Sequence, residues 1–349
     1  MMISNILYSL LLFQSLVLAV YLLSQRRLVA LPVFLILISF HMGLNITQKM
    51  AWAASFQNLV PGLALFYGPL IYFYLRELIY KDFRYHWKDS VHLLPGAVTF
   101  SLIAFEIEAI PFWPVILASL SGYIAASFFL IHRYHQVLVD TQSSVSNLKL
   151  AWAQRVLVAF VIIAILDTFA QMSQGSFEQF GNISHYLTIA ALLGLVTHVI
   201  YKGIKYPQLF SGITMSDQAI SRDAKTRYMN STLEKKEKTR ISKNLERLLA
   251  EKELYTEPRF SLQELATHLN APVHHVSQTI NETFNESFSD FINGYRVGKA
   301  KDLIKASSSA KTSLLNIGLD AGFNSKSAFN ASFKKSTGMS PTEFREKHS

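Results

Sequence analysis

The chain has 349 residues, 50% of them hydrophobic and 16% charged, with a formal charge of +9 and no cysteine. Its mean hydropathy of +0.23 is too oily for a soluble domain and too polar for a pure membrane protein. The missing thiols exclude disulfides, thiolate zinc sites, cysteine nucleophiles and thiolate-held iron–sulfur clusters, and the composition excludes a small secreted scaffold, a disordered chain and a single soluble globule.

That average conceals two halves. Residues 1–205 carry 12 Lys+Arg and 8 Asp+Glu, whereas residues 206–349 carry 21 and 16. The first half reads as lipid-facing and the second as an ordinary soluble domain.

Crossing ~30 Å of hydrocarbon takes about 20 apolar residues. Runs at 3–23, 28–46, 59–75, 91–105, 112–131, 156–172 and 183–200 suggest seven spans, the fourth being the shortest. Alternate connections hold nine basic residues (Arg26, Arg27, Arg76, Lys81, Arg84, Lys88, Arg133, Lys149 and Arg155), while the others hold only Lys49. Lys and Arg stay preferentially on the cytoplasmic side, so the N-terminus is expected outside and the C-terminal domain in the cytoplasm. Trp52 and Trp113 on one side, with Trp87, Tyr134 and Tyr201 on the other, fit interfacial belts. The first run has no basic leader and no A-x-A site, so it is read as a retained anchor.

Polar groups in lipid are expensive and often functional. His41, Asn45, Asp167, Gln171 and His185 are the candidates for signal sensing. The competing reading is that those near span ends reach interfacial water. Asp167 is the most embedded carboxylate, and His41 or His185 would make such a site pH-responsive.

Residues 206–237 lose hydrophobic periodicity and form a linker, either a tether or a helical connector. From residue 238 the pattern is short amphipathic helices. ISKNLERLLAEKELY places Ile241, Leu245, Leu248 and Leu249 on one face. SLQELATHL, a turn at Asn270-Ala271-Pro272 and VHHVSQTINETF then read as a helix-turn-helix at about 261–284. Val276, Ile280 and Phe284 form its core stripe. His274, His275, Gln278 and Glu282 face away, with Asn281 at the margin. A connecting helix, FSDFINGYRVGKAKDLIKA, leads to a second unit at about 313–336. There Leu315, Ile317 and Leu319 are available for burial, Phe329 and Phe333 point inward, and Ser327, Ala331, Lys334 and Lys335 point outward.

Residues 239–347 resemble the DNA-binding domain of the AraC/XylS family of bacterial transcription regulators. GFNSKSAFNASFKKSTGMSPTEFR (322–345) carries the signature run; LQELATHLN, HHVSQTINETF and RVGKAKDLI resemble the first unit and the linker helix. The resemblance implies two recognition helices in successive major grooves, about one helical turn apart. Pro272-Val273 replaces a frequent Ser-Pro, and Gly318 replaces the usual alanine, at a cost in helix stability. The spans also resemble the seven-helix membrane part of some such regulators, through the less specific FYGPLIYFYL (66–75) and HLLPG (92–96).

Side-chain chemistry suggests roles. Gln278 can pair with adenine in a bidentate fashion and His274 can donate to guanine or contact phosphate. Lys326, Lys334 and Lys335 suit phosphates. His275, Ser277, Asn281, Ser325, Ser327 and Asn330 complete the candidate DNA-binding set, and the first unit is expected to read bases more sharply. Adjacent His274 and His275 diverge on a helix, so no metal site is expected.

The expected fold is all-α, a polytopic transmembrane helix bundle followed by a cytoplasmic all-helical domain with two helix-turn-helix units. No phosphate loop, H-E-x-x-H, intramembrane aspartate pair, retinal lysine or kinase motif occurs, so neither an enzyme nor a cofactor is expected. The expected partners are double-stranded DNA, the lipid bilayer, RNA polymerase, a second copy of the chain and a small-molecule or physical signal. The alternative is a membrane receptor or transporter whose cytoplasmic helices bind a protein partner.

Overall fold

A computed structural model of the chain describes residues 2–25, 28–47, 60–80, 82–105, 112–145, 150–173, 178–205, 235–306 and 313–348. The described residues are helical, with no strand beyond one isolated antiparallel bridge pair. They form two units, one of residues 1–132 and 150–212, the other of residues 133–149 and 213–349.

Each expected apolar run falls mainly on a helix: α1 (Met2–Gln25), α2 (Ala30–Ile46), α3 (Val60–Ile79), α4 (Leu94–Ala104), α5 (Phe112–Thr141, whose end from residue 133 groups with the second unit), α6 (Ala151–Ser173) and α7 (Glu178–Lys205). Two stretches, Ile3–Gln25 and Pro114–Thr141, are long and apolar enough to cross a membrane; Ala30–Ile46, Ala151–Leu166 and His185–His198 are shorter apolar helices. Trp52, Lys49, Arg26, Arg27 and most of the linker (206–234) lie outside the described residues.

The two motifs of the first half have a packing reason. A Cβ on Gly96 would meet the Phe66 ring at 2.8 Å, and one on Gly68 would meet Tyr123 at 2.9 Å. His92 Nδ1 shares a 2.7 Å hydrogen bond with the Tyr123 hydroxyl. FYGPL and HLLPG thus meet each other and α5 through glycines that admit aromatic rings.

The second unit holds α8 (Lys235–Lys252), α9 (Leu262–His268), α10 (Val273–Thr279), α11 (Phe288–Ala306), α12 (Leu314–Asp320), α13 (Lys326–Thr337) and α14 (Pro341–His348). One core joins Ile241, Leu245 and Leu249 of α8 to Leu265, Val276, Ile280 and Phe291. A second joins Val297, Ala300 and Ile304 to Ile317, Phe323, Phe329, Phe333 and Phe344. The single helix α11 gives its first half to one core and its second half to the other.

Local signals fix the helix ends. Ser261 caps α9 in a capping box with Glu264, and Ser325 accepts from the Ala328 amide at the start of α13. α10 runs into a π turn (Ile280–Phe284) that ends at Asn285, whose φ of 54° is left-handed.

The expected burial of Leu315 and Leu319 is corrected: they are 42% and 47% exposed. Their spacing of two from Ile317 suits a strand, whereas a helix turns each about 200° away from it. The buried side of α12 instead runs through Ile317, Gly318 and Ala321.

Gly318 has its own reason. A Cβ there would sit 2.9 Å from the ring of Phe329, a buried core residue. Gly318→Ala is therefore expected to lower the thermal unfolding midpoint of the full chain, although alanine gains about 1 kcal/mol in helix propensity. A rise in the midpoint would refute the packing argument.

Candidate nucleic-acid interface

The two recognition helices differ. On α13, Lys326, Ser327, Asn330, Ala331, Lys334 and Lys335 are all exposed, while Phe329 and Phe333 hold the opposite side in the core. Ser325 acts as the N-cap, and its hydroxyl lies 3.2 Å from that of Ser327. Lys335 pairs with Asp290 at 2.6 Å, an exposed ion pair of little stability that phosphate can replace. This face offers ammonium groups, a hydroxyl, an amide and a methyl, the groups that contact phosphates and base edges.

The first recognition helix is covered. Gln278, expected to face outward, is 5% exposed, and Ser277 is buried beside it. Core packing covers one side of α10 and α8 covers another, so the helix has little solvent face along Val276–Ile280. Gln278 donates its amide to Glu282 at 2.8 Å, and Lys238 of α8 holds the other oxygen of Glu282 at 2.6 Å. These bonds pull the Glu282 carboxyl below the usual glutamate range, Lys238 first and Gln278 second. With a lowered pKa, the network is intact at neutral pH and is lost as pH falls through that lowered value.

His274 and His275 are half-buried, their rings 4.4 Å apart and edge-on. The exposed Asn281 donates to the Ser277 carbonyl at 3.0 Å. The Gln278 amide is thus occupied by Glu282, whereas the polar side chains of α13 stand exposed.

Opposite changes in salt dependence follow. Each phosphate neutralised steepens the dependence of log affinity on log salt by about 0.9. Lys334→Ala is expected to flatten that slope by about one such step. Glu282→Ala, which releases Lys238 and Gln278, is expected to steepen it by a similar amount. Fluorescence anisotropy across a salt series reads both, and an unchanged slope in either variant would remove that residue from the interface.

Sequence reading missed the joint between the two cores. Arg296 of α11 is 0% exposed and has no carboxylate partner among the described residues. Its Nε donates to the Tyr255 carbonyl at 2.6 Å, and Nη2 donates to the Glu257 carbonyl at 2.7 Å and the Ser143 hydroxyl at 3.0 Å. Nη1 donates to the Ser143 carbonyl at 3.2 Å and to Asn293 Oδ1 at 3.3 Å. Burial pulls the guanidinium down to about 10, so it stays charged at neutral pH. Its position between Ile292 and Ala300, four residues either way on a buried stripe, is the signal that could have found it.

Of the sensing candidates, His41 Nδ1 lies 2.5 Å from the Tyr67 hydroxyl, and Asn45 donates to the His41 carbonyl at 3.0 Å. His185 hydrogen-bonds the Tyr8 hydroxyl. They therefore form two pairings, α2 with α3 and α7 with α1. Asp167 and Gln171 lie on α6, and their side chains lie outside the described residues. Among the described residues no His, Asp and Glu cluster that could hold a metal ion occurs.

Residues 265–347 match the family described as "Helix-turn-helix domain". No curated protein matches the chain. Among solved structures, a protein of unknown function from Listeria innocua is similar at 27% identity, over 31% of this chain and 97% of that one, with a TM-score of 0.27. The family match over residues 265–347 supports a helix-turn-helix DNA-binding domain at the C-terminus, of a kind carried by transcription regulators.

Proposed function

We propose that the chain is a membrane-anchored one-component transcription regulator. Residues 1–205 form a seven-span sensor with its N-terminus outside, 206–237 a linker, and 238–349 a cytoplasmic domain that binds promoter DNA. One observation carries this reading. Among the described residues, every exposed large hydrophobic side chain except Leu315 and Leu319 lies in the first unit, while the exposed basic recognition face lies in the second. Apolar surface of that extent is stable against lipid, and a helical chain satisfies its backbone there.

In this reading Lys326, Lys334 and Lys335 neutralise phosphates, and Ser327 and Asn330 reach phosphates or base edges. Gln278 and His274 read bases once α10 is uncovered. His41, Asn45, Asp167, Gln171 and His185 supply the polar groups that respond to an envelope or bilayer signal. RNA polymerase and a second copy of the chain are the proposed protein partners. No catalytic role is assigned.

Chromatin immunoprecipitation of the tagged full-length chain from its host tests the reading. Sharp peaks sharing two half-elements about one helical turn apart are expected. No enrichment, together with no retention of chromosomal fragments by the purified chain, would replace it with a receptor or transporter that binds a protein partner.

A further inference from the structure

The end of α5 belongs to the DNA-binding unit. Residues 133–149 group with 213–349, although the sequence reading placed them in a connection of the membrane half. Just past the helix, Gln142 pairs with Ser261 as an isolated antiparallel bridge, and the Ser143 amide donates to the Phe260 carbonyl at 3.1 Å. Thr141, Ser143 and Ser144 are buried. Ser143 also gives its carbonyl and its hydroxyl to Arg296, the fully buried cation at the joint of the two helix-turn-helix cores.

Two features make this contact suitable for release. Among the described residues Arg296 has no acidic partner, and two of its five hydrogen bonds there depend on the segment from α5 and can be replaced by water when that segment leaves. At the contact itself the segment adds no hydrophobic plug: residues 141–144 bury serine and threonine hydroxyls and backbone, and the segment's buried apolar side chains, Tyr134, Val137 and Leu138, lie earlier on α5. The same conformation has the Gln278 amide spent on Glu282 and hidden from a duplex.

We propose that residues Gln142–Ser144 are a latch that docks on Arg296 and the Phe260–Ser261 backbone and holds the DNA-binding unit in a low-affinity state. Displacement of α5 withdraws the latch and frees the first helix-turn-helix unit. The inference rests on the regulator reading above, in which α5 is a membrane span.

The cysteine-free chain makes the test clean, because Gln142→Cys with Ser261→Cys supplies its only two thiols. Antiparallel bridge partners lie about 4.5–5.5 Å apart at Cα, within disulfide range. The full-length double variant is oxidised in membranes and its monomer followed on non-reducing gels, which reads docking without any DNA. Affinity is then measured for the labelled duplex that the wild-type chain enriches from sheared host chromosome. Wild-type binding to that duplex reports separately on the regulator reading.

The expected result is an intramolecular disulfide that weakens binding about tenfold or more, as when only a tenth of the molecules are competent, and that reduction reverses. Ser261→Cys alone controls for the lost cap of α9 and is expected to leave affinity unaffected by oxidation. Failure of the disulfide to form, or a locked protein that binds the duplex as tightly as its reduced form, would overturn the proposal.

Discussion

Replacing Arg296 with methionine is expected to uncouple the two halves of the DNA-binding domain. The substitute keeps some of the volume but donates nothing to the carbonyls of Tyr255, Glu257 and Ser143. Glu257 retains the Phe260 amide, so Tyr255 and Ser143 are the carbonyls that lose their donor. A buried polar group left unsatisfied costs about 1–3 kcal/mol, which gives a loss on the order of 2–6 kcal/mol for the pair. Hydrogen exchange on the full chain checks it. Amides of α9 and α10 should lose protection by several orders of magnitude, while those of α1 and α2 keep theirs. Equal protection in wild type and variant would mean that Arg296 is replaceable by packing alone.

Gly322→Ala is expected to be as damaging, for a different reason. Gly322 closes α12 with φ at +96°, a left-handed conformation that costs an L-residue about 1–2 kcal/mol. Its missing Cβ would lie 2.6 Å from the Tyr255 carbonyl oxygen and 2.7 Å from Thr256 Cα. Both are backbone atoms, and Tyr255 is held by Arg296, so the clash is not relieved by a side-chain rotation. Overpacking adds about 1–3 kcal/mol, for a total on the order of 2–5 kcal/mol. Gly338 is the control: its φ of +78° is also left-handed, but a Cβ there meets nothing within 4 Å. Gly338→Ala should therefore cost only the conformational part. Thermal unfolding of the two variants side by side checks this, and equal losses would show that the contact with Tyr255–Thr256 is immaterial.

The two variants and the latch concern one place. Arg296, the Tyr255–Thr256 backbone, Gly322 and the Phe323 ring, 5.8 Å below the guanidinium, form the seam between the two helix-turn-helix cores. A change in how Arg296 is bonded therefore bears on the spacing of both recognition helices. In the proposed regulator, two helices that enter successive major grooves tolerate little change in that spacing.

Much of this protein follows from side-chain order alone. The apolar runs determined the helices of the first unit, because hydrophobic length is a property of the chain itself. Helical periodicity placed Val276 and Ile280 at 0% exposure and Phe329 and Phe333 in the core, and it left Lys326, Asn330 and Lys334 exposed on α13. Periodicity describes one helix against one core, so it failed wherever a helix has a second neighbour or a residue lies off the stripe. It set Gln278 outward because nothing local says that α8 covers that side. It sent Leu315 and Leu319 inward because apolar character was read without its angle on the helix. The Arg296 seam, the strained Gly322 and the docking of Ser143 join residues 39 to 153 positions apart. Only the tertiary structure decides such contacts, since an isolated arginine, glycine or serine gives no sign of which distant backbone it will meet.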